Sequence, residues 1–143
     1  MKKRKRSWIA VVVMLCLVIA AQTGGTEPSS AKTVKEITVA KIKGDTLSYH
    51  KAVNNITIMK DPQWENIVGY GKKKTIKMAK DTKFYLFNPD TMKPYKASKK
   101  KFIKNMTKYK KSTENGVTFY SGTYCKMTVK NGKCVKLVQG YQP

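Results

Sequence analysis

The residues able to do acid–base or nucleophilic chemistry are few and widely spaced in this sequence. His50 is the only histidine, and Cys125 and Cys134 are the only cysteines outside the first 21 residues. On its predicted strand His50 falls on the face opposite Leu47 and Tyr49, so we expect a solvated side chain rather than a base. One histidine and two separated cysteines do not give the ligand spacing of a zinc site. The sequence therefore predicts a protein that is not an enzyme and that holds no metal or cofactor.

Lysine dominates the charge of the chain, which has 30 Lys and Arg against 8 Asp and Glu. Outside the first 21 residues all 25 cations are lysines, and the net charge there is about +17. Lysine attracts polyanions as a point charge, whereas sequence-specific DNA readers use arginine for bidentate contacts to guanine. This composition favours non-specific binding of an anionic polymer. The alternative is a charge that serves only solubility.

The candidate contacts are clustered lysines and large aromatic residues. The lysines predicted to bind a polyanion are Lys72, Lys73, Lys74, Lys99, Lys100, Lys101, Lys104, Lys126 and Lys130. The aromatic candidates, whose rings suit stacking on sugars or bases, are Trp64, Tyr120 and Tyr124. Their structural alternative is that Trp64 folds back over one end of the domain and that the two tyrosines cover its surface.

The first 21 residues have the layout of a secretory signal peptide. Five cations precede an uncharged run of 14 residues from Trp8 to Ala21, and small residues close it. As a helix this run would cover roughly 21 Å against a hydrocarbon core of about 30 Å, so an uncleaved membrane anchor is the weaker interpretation. We expect a signal peptide over 1–21, a flexible leader over 22–34 and one domain over 35–143. The protein is then secreted or associated with the cell envelope.

Alternation of apolar and polar residues predicts a mainly β domain. Its first hairpin turns at Gly44-Asp45, and a β-bulge near Ala40-Lys41 places Ile42 opposite Leu47 and Ala40 opposite Tyr49. Further strands are predicted over 56–59, 73–80, 83–88 and 117–141, with turns at 54–55, 81–82 and 131–132.

One helix is predicted, from Ser98 to about Tyr109. Ser98 is a favourable N-cap, and Phe102, Ile103, Met106 and Tyr109 form an apolar stripe at helical spacing.

The last hairpin decides how the two cysteines are placed. A two-residue turn at Asn131-Gly132 puts both on one face, whereas a three-residue loop points Cys125 inward and Cys134 outward. The second register separates apolar from charged residues better, and neither register brings the two cysteines within disulfide distance. We therefore predict two free thiols, with Cys125 buried and Cys134 exposed.

Three segments carry a resemblance to a known kind of domain. They are Ile37–Leu47 (ITVAKIKGDTL), Lys80–Phe84 (KDTKF) and Met127–Leu137 (MTVKNGKCVKL). In these segments the chain resembles small exported OB-like domains of uncharacterised function from Gram-positive bacteria. The resemblance and the order of elements imply a five-to-six-stranded OB-like Greek-key barrel with one short α-helix, preceded by an N-terminal signal helix. The resemblance brings no site residues with it.

Export and charge together lead to three functional hypotheses. The first is a binding module for anionic cell-wall polymer or an anionic lipid surface. The second is an extracellular OB domain that binds nucleic acid non-specifically through the same residues. The third is a scaffold or partner-binding protein whose charge is incidental. A salt titration separates the first two from the third, because polyanion binding weakens steeply as salt rises.

Overall fold

The computed structural model describes residues 31–60 and 64–142, and in these ranges the chain is mainly β. The predicted signal peptide and most of the predicted leader lie outside the described residues. The elements are β1 (Lys32–Lys43), β2 (Thr46–Asn54), a 3-10 turn (Asn55–Thr57), β3 (Ile67–Asn88), β4 (Lys93–Ala97), α1 (Lys99–Lys104), β5 (Lys110–Glu114), β6 (Val117–Ser121), β7 (Thr123–Lys130) and β8 (Lys133–Gln139). The first strand thus begins three residues before the predicted domain boundary. None of the helices in the described ranges has the length and hydropathy needed to cross a membrane.

All eight strands belong to one sheet, in the order β2-β1-β7-β8-β3-β6-β5, with β4 paired to β3. An additional pairing joins β2 to β3, so that β1, β2, β3, β8 and β7 are hydrogen-bonded in a closed circuit. The β3–β8 pairing is parallel and sets Phe84 beside Leu137. The 22-residue strand β3 therefore pairs with both β2 and β8, and the β5–β6 hairpin pairs with its first half through β6.

The core lies inside this circuit. Val39, Leu47, Met127 and Leu137, one from each of four strands, are fully buried there. Phe102 is the buried residue of helix α1, and its ring lies 5.2 Å from that of Phe84. The helix is thus held to the sheet by one aromatic side chain.

The structure confirms most of what the sequence predicts for the first hairpin. Gly44 adopts a φ of +60° in the turn, the bulge falls between Val39 and Lys41, and Ile42 pairs with Leu47. The predicted pairing of Ala40 with Tyr49 is wrong, because the bulge leaves Ala40 out of the ladder and Val39 takes its place.

Two predicted elements differ from the structure in the middle of the chain. The strand predicted over 56–59 is wrong, because Asn54 accepts a hydrogen bond from the Ile56 N–H at 3.1 Å and caps a 3-10 turn. The two strands predicted over 73–80 and 83–88 form one strand, β3. Its pairing with β8 is irregular between Met78 and Lys83, where the Thr82 hydroxyl donates to the Cys134 carbonyl.

The helix is shorter than predicted. Ser98 does cap it, since its Oγ accepts from the Lys101 N–H at 3.1 Å, but the helix ends at Lys104 instead of near Tyr109. Beyond that point the Thr107 N–H donates to the Thr123 hydroxyl at 2.8 Å, which holds the chain against β7. A tertiary contact thus ends a helix that the apolar stripe alone would continue.

The register of the last hairpin corrects the position of Cys134. Asn131 and Gly132 both have positive φ, as a two-residue type I′ turn requires, so that Val129 pairs with Cys134. A shift follows immediately, and Thr128 pairs with Lys136. The bulge lets Cys134 and Leu137 both face the core, and Cys134 is buried rather than exposed. The predicted register is wrong because it placed the extra residue in the loop, as a bulge at Gly132, whereas the structure has a two-residue turn and a bulge at Val135 within β8.

The structure agrees with the prediction of two free thiols and a buried Cys125. Burial raises the pKa of Cys134 to about 11 and that of Cys125 further still. Both side chains are therefore protonated and unreactive at neutral pH.

We predict that neither Cys125 nor Cys134 reacts with a thiol reagent in the native protein. In the full chain carrying Cys16→Ser, titration with Ellman's reagent should find no fast-reacting thiol at pH 8. It should find two after denaturation without reductant. One reactive native thiol would contradict the burial of Cys134, and fewer than two in denaturant would contradict the unpaired state.

We predict that Phe102→Ala destabilises the protein by about 3–5 kcal/mol, because it removes the buried ring that holds α1 to the core. The matched control is Ile103→Ala on the same helix, where the side chain is 40% exposed and the loss should stay below about 1 kcal/mol. Urea unfolding measures both values. Equal losses would show that the helix is not held through Phe102.

Candidate functional site

A groove lined by five lysines and two carboxylates is one of three lysine-lined concave surfaces among the described residues. It lies between the β1–β2 turn, the middle of β3, the start of α1 and the β7–β8 turn. Its volume is about 570 Å³, and Met78 and Phe84 contribute buried apolar side chains to its lining. We call it the lysine groove, and its lysines are Lys80, Lys83, Lys96, Lys99 and Lys133.

The strand pairings explain why lysines distant in sequence meet here. Antiparallel pairing of β3 with β4 sets Tyr85 opposite Lys96, and parallel pairing with β8 sets Met78 beside Cys134, next to Lys133. The Lys99 ammonium donates a hydrogen bond to the Gly44 carbonyl, which ties the start of α1 to the first turn. Four segments of the chain thus converge on one surface.

The groove keeps most of its positive charge. Two carboxylates line it, Asp45 and Asp81, and Asp45 is paired with Lys77 outside the groove at 3.2 Å. The hydrogen bond and charge of Lys77 lower the pKa of Asp45. This is the one lysine–carboxylate ion pair within residues 31–60 and 64–142. Lysines around one groove attract an anion jointly, because charges closer than the Debye length of about 10 Å at 0.1 M salt are only partly screened.

The lysines predicted from the sequence are distributed over several surfaces. Lys99 lies in the lysine groove, and Lys130 pairs with Lys133 across the β7–β8 turn. The other three helix lysines line a shallow surface beside Ser98. One of them, Lys101, lies over the Tyr95 ring at 5.3 Å from its centroid. That shallow surface is formed by Lys100, Lys101 and Lys104.

A second groove holds Lys74 and Lys126 beside Lys35 and Lys51. It also contains Glu36, whose carboxylate accepts a hydrogen bond from the Tyr124 hydroxyl. Burial, followed by this bond and the nearby charge, raises the pKa of Tyr124 to about 12. The Tyr124 hydroxyl is therefore bonded within the protein, which agrees with the alternative that this tyrosine covers the surface of the domain.

Four lysines of the groove were missed by the sequence reasoning: Lys80, Lys83, Lys96 and Lys133. Runs of adjacent lysines stand out in a sequence, whereas these four are single lysines spread over β3, β4 and β8. The one signal in the sequence is that Lys80, Lys83 and Lys133 lie beside the predicted turns at Asp81-Thr82 and Asn131-Gly132, and nothing marks Lys96.

His50 is buried rather than solvated, which corrects its prediction. It is 1% exposed, because Tyr120 stacks on its ring at a centroid distance of 3.7 Å and Tyr109 lies beside them. Gly69 makes room for this stack, since a Cβ there would lie 3.0 Å from the His50 Cβ. Tyr120 is thus a packing residue, and the sequence did not show that β6 folds over the outer face of β2.

The hydrogen bonds of His50 identify its protonation state. Its Nδ1 lies 2.9 Å from the Gly71 carbonyl, which only accepts, so Nδ1 carries the proton. Its Nε2 lies 2.7 Å from the Tyr109 hydroxyl and accepts from it. Burial lowers the pKa of His50, the bond to Gly71 opposes that effect, and the charge of Lys73 adds to it. The ring is therefore neutral and structural.

The hydrogen bond between His50 and Gly71 lies at a bulge of β3, and this bulge contains two of the lysines predicted to bind a polyanion. Tyr49 pairs with Lys74 and Lys51 with Tyr70, so that three residues of β3 lie opposite His50 alone. Lys72 and Lys73 belong to this bulge, and both are exposed. Neither Lys72 nor Lys73 lines the lysine groove.

Trp64 is 68% exposed, so the structure does not fold it back over the end of the domain. No three His, Cys, Asp or Glu side chains among the described residues are grouped to hold a metal ion. The grouping that the fold does create is one of lysines.

Comparison with known proteins adds no relative to this description. No protein-family model, no curated protein and no solved structure matches the chain.

We predict that the free energy of unfolding falls as the pH drops below 6.5, the ordinary pKa of histidine, toward the lowered pKa of folded His50. The unfolded chain takes up the proton first, so the stability contributed by neutral His50 is complete above pH 6.5 and is lost on acidification. Urea unfolding between pH 7.5 and 5.5 measures the slope.

The control for this prediction is His50→Gln. Because His50 is the only histidine, the variant should be less stable at pH 7.5 by about 1–3 kcal/mol and nearly independent of pH over this range. An unchanged slope in the variant would show that the titration belongs to another group.

Proposed function

We propose that the circuit of β1, β2, β3, β8 and β7 is a small OB-type Greek-key barrel. Three features support this: the closed pairing order, the parallel β3–β8 pair, and a helix placed between the third strand and the final hairpin. In this arrangement β4 and the β5–β6 hairpin are additions to a five-stranded barrel.

We further propose that the protein is an exported binding module for anionic polymers or surfaces of the cell envelope, with no catalysis. The observation that carries this proposal is the lysine groove, where five lysines face two carboxylates, one of which is paired elsewhere. Placing like charges around one concavity is unfavourable without an anion, and a bound polyanion relieves that repulsion.

The chemistry of the groove favours a flexible chain of phosphates or carboxylates. Lysine ammoniums are mobile point charges without the planar fork of arginine, so they accept anions of varied geometry. Export through the predicted signal peptide would expose the groove to wall polymers and anionic lipid, which are the anions outside the membrane. Nucleic acid is the competing ligand, and the test below separates the two.

The experiment compares two triple variants that remove equal charge from exposed strand positions. The first variant carries Lys83→Gln, Lys96→Gln and Lys133→Gln and removes three of the five lysines of the lysine groove. The second carries Lys51→Gln, Lys74→Gln and Lys126→Gln and removes three of the four lysines of the second groove. The probes are poly(glycerol phosphate), anionic vesicles and single-stranded DNA, each titrated from 50 to 300 mM NaCl.

We predict that the first triple variant lowers affinity for poly(glycerol phosphate) by about tenfold or more at 50 mM salt. Its slope of log K against log salt should flatten by about 2, because three lysine–phosphate contacts are lost. The second triple variant should lose less than about threefold. Equal losses would show a diffuse charge effect and contradict a site. Stronger salt-resistant binding of DNA than of the phosphate polymer would favour the nucleic-acid hypothesis instead.

A further inference from the structure

Another groove, which differs in chemistry from the lysine-lined surfaces, lies beside the first residues of β3. It is formed by the end of the 3-10 turn, the start of β3 and one face of the β5–β6 hairpin, and its volume is about 350 Å³. We call it the indole groove, and its polar and aromatic residues are Asn55, Trp64, Asn66, Ser112, Glu114, Phe119 and Ser121.

Among the described residues, no lysine lines the indole groove, although lysines line each of the three other surfaces described above. Glu114 is the one charged residue in that described lining, and its carboxylate forms no ion pair with another described residue. A phosphate polymer has nothing to bind here. The groove therefore suits an uncharged ligand, which the lysine groove does not.

The backbone beside Trp64 is held in place from inside. Asn55 is 7% exposed, and its Nδ2 donates to the Trp64 carbonyl at 2.9 Å. The Asn66 N–H donates to Asn55 Oδ1 at 2.9 Å, and the Asn55 N–H donates to the Asn66 carbonyl at 2.8 Å. Both amide ends of one buried side chain thus fix the segment from Trp64 to Asn66. The indole itself remains 68% exposed at the rim.

The hairpin forms the opposite wall with free polar groups. Side chains alternate along a strand, so Ser112 and Glu114 of β5 share one face, as do Phe119 and Ser121 of β6. Ser112 pairs directly with Phe119, which is buried and gives the groove an apolar floor. In the described ranges the side-chain oxygens of Ser112, Glu114 and Ser121 make no hydrogen bond within the protein.

An exposed aromatic plate, an apolar floor and a wall of unpaired hydroxyls and one carboxylate together match the surface of a pyranose. A sugar ring presents C–H groups on its faces, which pack on an indole, and hydroxyls on its edge, which donate to carboxylates and exchange bonds with amides and hydroxyls. The bonds to a carboxylate are the strong ones, because the acceptor is charged.

We propose that the indole groove binds an uncharged saccharide, with Trp64 as the stacking plate and Glu114 as the principal acceptor of its hydroxyls. This goes beyond the proposed polyanion binding and does not depend on it, because the two grooves share no lining residue. The protein then carries one site for anions and one for neutral sugars.

Trp64 itself provides the measurement. The sequence has two tryptophans, so in the full chain carrying Trp8→Phe the emission reports on Trp64 alone. The probes are cellotetraose and the β-1,4 tetramer of N-acetylglucosamine, titrated to 10 mM in 0.5 M NaCl to suppress binding at the lysine groove. We expect a saturable blue shift with at least one tetrasaccharide.

Two variants in the same background test the assignment. Glu114→Gln keeps the reporter and should raise the Kd about tenfold, whereas the control Asp90→Asn in the β3–β4 turn should leave the Kd unchanged. Calorimetry of Trp64→Ala should show binding lost. The absence of a saturable shift with both tetrasaccharides overturns the proposal, as does a Kd that Glu114→Gln leaves unchanged.

The polyanion proposal and the saccharide proposal can be contradicted independently of each other. The variant with Lys83→Gln, Lys96→Gln and Lys133→Gln should bind the tetrasaccharide as the parent does, while Glu114→Gln should bind poly(glycerol phosphate) as the parent does. A loss of sugar binding in the lysine variant would assign the sugar to the lysine groove and overturn a separate site.

Discussion

The parallel pairing of β3 with β8 is the contact on which the lysine groove depends. It closes the circuit of five strands, and it places Met78 beside Cys134 and Phe84 beside Leu137. Those four side chains are buried, so the pairing is fixed by the core rather than by the surface. The same register brings Lys133 of the last hairpin to the lysines of β3. Charges that repel one another are therefore held together by apolar packing beneath them.

Few lysines among the described residues are paired with a carboxylate, and this distinguishes the lysine groove from the indole groove. The Lys77–Asp45 pair joins exposed side chains, and no lysine of the groove forms an ion pair with a described carboxylate. Glu36 is engaged by Tyr124, and Glu65 accepts a hydrogen bond from Asn54. Glu114 is different, because it lies in a groove without lysines beside an exposed indole. The lysine groove and the indole groove are thus distinct in chemistry as well as in position.

Local rules predicted the local structure, while the sites arise from contacts that local rules do not reach. The Gly44-Asp45 turn, the bulge before Lys41 and the Ser98 cap follow from turn and capping chemistry. The end of α1 depends on Thr123, and the burial of Cys134 depends on a bulge after a type I′ turn. His50 is covered by residues 59 and 70 positions away, which alternation within one strand cannot show. The lysine groove likewise combines lysines from β3, β4, α1 and β8, whereas the sequence displays only runs.

The most direct test of the central claim is to map a bound polyanion onto the fold residue by residue. In ¹H–¹⁵N correlation spectra of the labelled protein, poly(glycerol phosphate) added at 50 mM salt should shift the amides around Lys83, Lys96 and Lys133 and the Gly44 turn. The amides of Lys51, Lys74 and Lys126 should shift little. Shifts centred on those three instead, or spread evenly over all exposed lysines, would contradict the assignment of the lysine groove as the binding site.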